Sequence, residues 1–120
     1  MNISLLLATL FILSAASTAC FSFVCDDELL KEVKSHNQER VATAYVRNCG
    51  ATTGYATQVT VRWTSSSPES TDLVFSVDSK REIQIEWLDD LTLIVRCPNC
   101  SENQVYKRVV KQGKVEIKFE

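Results

Sequence analysis

The sequence predicts an all-β domain, a small antiparallel sandwich or partly open barrel of seven or eight short strands. Three observations predict it. Apolar residues recur at every second position in run after run, and clusters of Ser, Asn, Asp, Gly or Pro separate those runs at short intervals. A hydrophobic content of 45% with only 3 Gly and 2 Pro supplies a core without the punctuation of a disordered chain.

The first nineteen of the 120 residues differ from the rest. Leu5 to Leu13 is an uncharged apolar run, followed by Ser14-Ala15-Ala16-Ser17-Thr18-Ala19. Nine such residues rise only about 14 Å as a helix, short of the ~30 Å hydrocarbon core, so the run reads as an export signal rather than a span. Ser17 and Ala19 supply the small side chains that precede a cleavage site. Residues 1–19 are therefore expected to be a signal peptide, and 20–120 a single β domain of roughly one hundred residues. Cys20 directly after Ser-Thr-Ala also resembles a bacterial lipoprotein box, with Ser17 where the box prefers Leu. Lipidation of Cys20 is favoured over ordinary cleavage with Cys20 in a disulfide, because four of the 5 Cys then remain to pair.

The strands follow in order. Asp26 to Val33 fits either a short helical turn or a strand, and a strand is preferred. Val41 to Val46 is rich in β-branched and small residues; Val59, Val61 and Trp63 alternate with Thr60 and Arg62; Leu73, Phe75 and Val77 repeat the period. Ile83, Ile85 and Trp87, then Leu91, Leu93 and Val95, flank Asp89-Asp90, which reads as a hairpin turn rather than a catalytic carboxylate pair. Gln104 to Val110 is a weaker strand, and Val115, Ile117 and Phe119 close the set, with Glu116 and Lys118 facing out.

Cys25, Cys49, Cys97 and Cys100 permit three pairings. Cys25 with Cys49 and Cys97 with Cys100 is favoured, because separating the two members of Cys97-Pro98-Asn99-Cys100 crowds both around the remaining pair. On the loop-entropy model the first bridge stabilises by roughly 3.5 kcal/mol and the short one by roughly 2 kcal/mol. A redox CxxC belongs at a helix N-terminus, where the dipole lowers the thiol pKa, whereas this one lies between strands. A zinc ribbon needs a second CxxC. No metal and no cofactor are expected.

Nor is an enzyme. His36 is the only histidine and sits in the polar turn Ser35-His36-Asn37-Gln38; Asp26-Asp27-Glu28 is followed by no calcium loop; no G-x-S-x-G elbow occurs. With 13 Lys+Arg and 15 Asp+Glu interspersed beyond residue 19, a polyanion such as nucleic acid is not an expected partner. The segment that invites contact is the Gly-rich loop after Cys49, where Gly50 and Gly54 permit positive φ and Thr52, Thr53 and Tyr55 form a candidate binding loop.

That segment also carries a resemblance. Cys49-Gly50-Ala51-Thr52-Thr53-Gly54-Tyr55, followed by Thr57-Gln58-Val59, resembles the C-G-A-T-T-G-[F/Y] signature of a widespread group of small, uncharacterised bacterial exported proteins and lipoproteins. Cys25 with Glu28-Leu29-Leu30, and Glu86-Trp87-Leu88-Asp89-Asp90 before a strand, match the group's layout. The group's S-P-D-G-K turn is replaced here by Ser35-His36-Asn37-Gln38-Glu39. The resemblance implies a bacterial, exported protein and carries over no catalytic residue. The expected function is a non-enzymatic cell-envelope lipoprotein, in the periplasm or membrane-held through Cys20, that binds a protein or envelope component. The alternatives are a periplasmic inhibitor or immunity protein and a thiol-disulfide protein using Cys97 and Cys100.

Overall fold

The computed structural model describes residues 25–50 and 54–120. The chain forms β1 (Asp26–Lys34), β2 (Arg40–Asn48), β3 (Tyr55–Trp63), β4 (Leu73–Asp78), β5 (Gln84–Asp89), β6 (Thr92–Arg96), β7 (Val105–Arg108), β8 (Lys111–Gln112) and β9 (Val115–Phe119). Short 3-10 turns at Ser70–Asp72 and Glu102–Gln104 lead into β4 and β7. A five-stranded sheet in the order β1-β2-β3-β4-β7 lies against a four-stranded sheet in the order β5-β6-β9-β8. The sheets do not close into a barrel, so the arrangement is sandwich-like.

Two details depart from expectation. A ninth strand, β8, occupies Lys111–Gln112, where the polar sequence before Gly113 reads as turn alone. The sandwich is also not wholly antiparallel, because β6 pairs parallel with β9 from Thr92↔Glu116 to Val95↔Phe119. Parallel neighbours need a long crossover. The chain supplies one by leaving β6, adding β7 to the other sheet, and returning through β8.

Alternation does the sorting between faces. β2 and β3 pair without interruption from Arg40↔Trp63 to Asn48↔Tyr55. Ala42, Ala44, Val59 and Val61 therefore share the inner face, where they join Phe75 and Val77 of β4 against Ile85, Trp87, Leu93, Val95, Val115 and Ile117 of the second sheet. Trp87 is 5% exposed and donates its indole N–H to the Val33 carbonyl at 2.8 Å, closing the seam between β1 and β5. A buried indole needs such an acceptor.

The β1–β2 turn shows local chemistry at work. Ser35 Oγ donates to Asn37 Oδ1 at 2.8 Å and accepts the Arg40 N–H at 3.2 Å, while Asn37 Oδ1 also accepts the Glu39 N–H. Gln38 adopts φ +63°, the left-handed region that favours glycine. A side chain there costs about 1 kcal/mol, and the backbone bond from Gln38 N to Ser35 O holds it. His36 is an exposed residue of this turn. Across the gap Asp90 Oδ1 accepts the Asn37 N–H at 2.7 Å, and Asp89 Oδ1 accepts the Leu91 N–H at 2.9 Å, so both carboxylates serve turns.

Candidate functional site

Strand directions bring the start of β1, the end of β2, the start of β3 and the end of β4 to one end of the sandwich. Cys25 and Cys49 are bridged there, just beyond the Asp26↔Asn48 pair, with Cα atoms 4.0 Å apart. Cys97 and Cys100 are bridged at the same end, Cα atoms 5.4 Å apart. Arg81 ties the two regions together: its N–H donates to Thr57 Oγ1, its Nε to the Asp78 carbonyl and its Nη1 to the Asn99 carbonyl, at 2.8, 2.9 and 3.0 Å.

The expected binding loop opens from this bridged end. Gly50 and Gly54 take φ values of +128° and +70°, which a side chain would strain. Thr52 and Thr53 lie outside the described residues, as do residues 1–19 and Cys20. Tyr55 is 46% exposed. Lys80 Nζ stands 5.7 Å from its ring centroid and 3.5 Å from Glu28 Oε1. Next to the second bridge, Arg108 makes a two-pronged contact to Glu102 at 2.7 and 2.8 Å, which holds the Glu102 carboxyl below its ordinary pKa. The CxxC follows β6 and precedes only the three-residue turn Glu102–Gln104. No α-helix starts at it to lower a thiol pKa.

A second site lies on the outer face of the five-stranded sheet, where a groove of about 490 Å³ runs over β1, β2 and β3 to Pro68–Ser70 and Leu73. Its side chains are cross-strand neighbours. Leu29↔Tyr45, Tyr45↔Gln58 and Gln58↔Ser76 are successive register pairs. Tyr45 Oη donates to Gln58 Oε1 at 2.9 Å, and Gln58 Nε2 donates to Ser76 Oγ at 3.0 Å. On the neighbouring rows Thr43 Oγ1 donates to Glu32 Oε2 at 3.2 Å, and Arg47 forks onto Asp27 at 2.9 and 3.0 Å. Burial raises the Tyr45 pKa, with Asp27 adding to it against the opposing charge of Arg47. The Asp27 hydrogen bond raises that of Arg47. The phenol thus stays neutral over the physiological range.

Sequence reasoning missed this groove. Period two identifies residues that face away from the core, but says nothing of whether they meet solvent or one another. The available signal was compositional: the outward positions of β2 and β3 carry the uncharged Thr43, Tyr45, Gln58 and Thr60, with charge only at Arg47 and Arg62. Among the described residues no three His, Cys, Asp or Glu side chains are grouped to hold a metal, and no helix is long and apolar enough to cross a membrane.

A model of a family of unknown function, DUF5412, matches residues 1–107, and the chain belongs to that family. No curated protein and no solved structure matches the chain.

Proposed function

We propose that this DUF5412 member is a non-enzymatic binding module of the bacterial cell envelope, exported by residues 1–19 and held at the membrane by a lipid on Cys20. The observation that carries this reading is the clustering of both disulfides at the end where the described chain begins, Cys25. Two bridges suit an oxidising compartment. Five Cα steps separate Cys20 from Cys25, a reach of at most about 18 Å. A lipid on Cys20 would therefore keep the bridged end near the bilayer and leave the outer-face groove and the opposite end free. Two acyl signals or a lipidated cysteine of this kind suffice to hold a domain of this size. In the groove, titratable groups are bonded to one another, an arrangement suited to recognising a ligand through preset donors and acceptors.

Metabolic labelling with an alkyne fatty acid tests the anchor. Wild type should be labelled and Cys20→Ala should not; an unlabelled wild type removes the anchor from the reading. A photo-crosslinking residue at Thr60, inside the groove, tests the binding role in cells. A discrete adduct absent from the same residue placed at exposed Lys118 of the second sheet is expected, and no adduct at Thr60 rejects the groove as a binding face.

A further inference from the structure

The end of the sandwich opposite the bridges is built around Arg40 and Trp63, which pair directly across β2 and β3. Arg40 is only 8% exposed, whereas Trp63 is 51% exposed. The Arg40 guanidinium carbon lies 3.9 Å from the Trp63 ring centroid. Its backbone is well held, with the N–H donating to Ser35 Oγ and the carbonyl accepting from Ser35 N. Its guanidinium is not. Among the described residues it donates to no protein acceptor, and no ion pair includes it.

That is an expensive arrangement. Five N–H donors converge on a group that cannot lose its charge. Stacking on an indole returns only part of what leaving a buried charge without a hydrogen-bonding partner costs. Arg40 lines a cavity of about 410 Å³ in which Arg62, Glu69, Asp72 and Gln112 are already engaged. Arg62 Nη1 donates to the Trp63 and Ser66 carbonyls, Glu69 and Asp72 each accept the other's backbone N–H, and the Gln112 amide donates to the Thr71 carbonyl. Lys114 adds a third cation to the wall, beside Arg40 and Arg62, and, like Arg40, enters no ion pair among the described residues.

We propose that this cavity receives the carboxylate of an acidic peptide segment from a partner protein, with the flanking residues lying on the exposed face of Trp63. The charges choose the ligand. Arg40, Arg62 and Lys114 against Glu69 and Asp72 leave a single positive excess, which one carboxylate neutralises, whereas a phosphate dianion would leave an uncompensated negative charge in the cavity. The surface chooses a polypeptide over a free anion. Through Lys114 the cavity adjoins a shallow surface where Leu91 and Val110 lie beside Lys111 and Glu116, giving apolar area beyond what a small anion would cover. Trp and Arg are also the residues that dominate interface energetics. The inference does not depend on the lipid anchor.

The test follows the Trp63 indole and Arg40 Nε–H resonances of the exported chain by NMR, with the Trp87 indole as an internal control because it is buried and bonded to Val33. Acetate should shift both resonances saturably while acetamide leaves them in place. A capped pentapeptide, acetyl-Ala-Leu-Glu-Leu-Ala-amide, should bind at least about tenfold more tightly than acetate, and its Gln counterpart about tenfold more weakly than the Glu peptide. Arg40→Gln should abolish the response. If that variant does not fold, the Glu-against-Gln comparison on the wild type decides alone. No shift with acetate, equal binding of the two peptides, or a Glu peptide no tighter than acetate would each overturn the proposal.

Discussion

The two faces of β2, β3 and β4 share one backbone ladder and differ in what holds their side chains. The inner face carries Ala42, Ala44, Val59, Val61 and Phe75, all nearly devoid of solvent exposure. The outer face carries Tyr45, Gln58 and Ser76, joined in a chain by hydrogen bonds, and Thr43, which donates to Glu32 of β1. Burial of an apolar side chain contributes roughly 1.5–3 kcal/mol, whereas a hydrogen bond exchanged with water contributes about 1 kcal/mol net. The inner face therefore determines the fold. The outer face can change its chemistry at small cost in stability.

The comparison breaks first at Phe75, which is 1% exposed and packs its ring 5.5 Å from that of Phe119. Phe75→Ala should lower the unfolding free energy by about 3–5 kcal/mol in urea denaturation. A loss below about 1 kcal/mol would mean that the inner face is not what holds the sheets. The two bridges come next. They close loops with sequence separations of 24 and 3. The double replacement Cys25→Ser with Cys49→Ser should cost about 3 kcal/mol, and Cys97→Ser with Cys100→Ser about 2 kcal/mol or less. The reverse order would point to a role for the CxxC beyond bracing.

On the outer face the effects are smaller. Tyr45→Phe leaves Gln58 Oε1 without its donor and should cost about 0.5–1.5 kcal/mol with no change in the fold. Spectrophotometric titration should place the Tyr45 phenol above its ordinary value of 10.0. Because the folded pKa is the raised one, this contribution is intact below the unfolded pKa and is lost as pH rises through the folded value. A Tyr45 titrating at or below 10.0 would contradict the desolvated groove.

The smallest effect is expected at the solvent-exposed pair Glu102 and Arg108. Glu102 has its folded pKa depressed by Arg108, so its contribution exists above the ordinary carboxylate pKa and disappears as pH falls through the lowered one. Carboxyl NMR titration should show that depression shrinking in 1 M salt and vanishing in Arg108→Gln. A depression insensitive to both would assign its cause to something other than the ion pair.

Most of this architecture was legible because its signal is local. Val59, Val61 and Trp63, or Leu73, Phe75 and Val77, declare their strands by period alone, and Asp89-Asp90 declares its turn. What was not legible depends on pairing between distant segments. Lys111–Gln112 is a strand only because β9 lies beside it, and β9 runs parallel to β6 only because β7 joins the opposite sheet. The outer groove has the same origin: Tyr45, Gln58 and Ser76 are far apart in sequence and meet through two registers. Arg40 escaped notice because its exposed-looking place after a polar turn gives no hint that the Trp63 ring covers it.

The parallel pairing of β6 with β9 also bears on how the molecule is made. A chain emerging from its N-terminus can zip β1 to β4 through neighbouring hairpins, since each strand finds its partner among residues already present. β6 has only β5 to pair with until the crossover has formed and β9 has appeared. Until then its free edge and the inner residues Leu93 and Val95 are exposed to other chains. The four-stranded sheet is thus the slow half to assemble, and the stage at which a chaperone's protection would matter most.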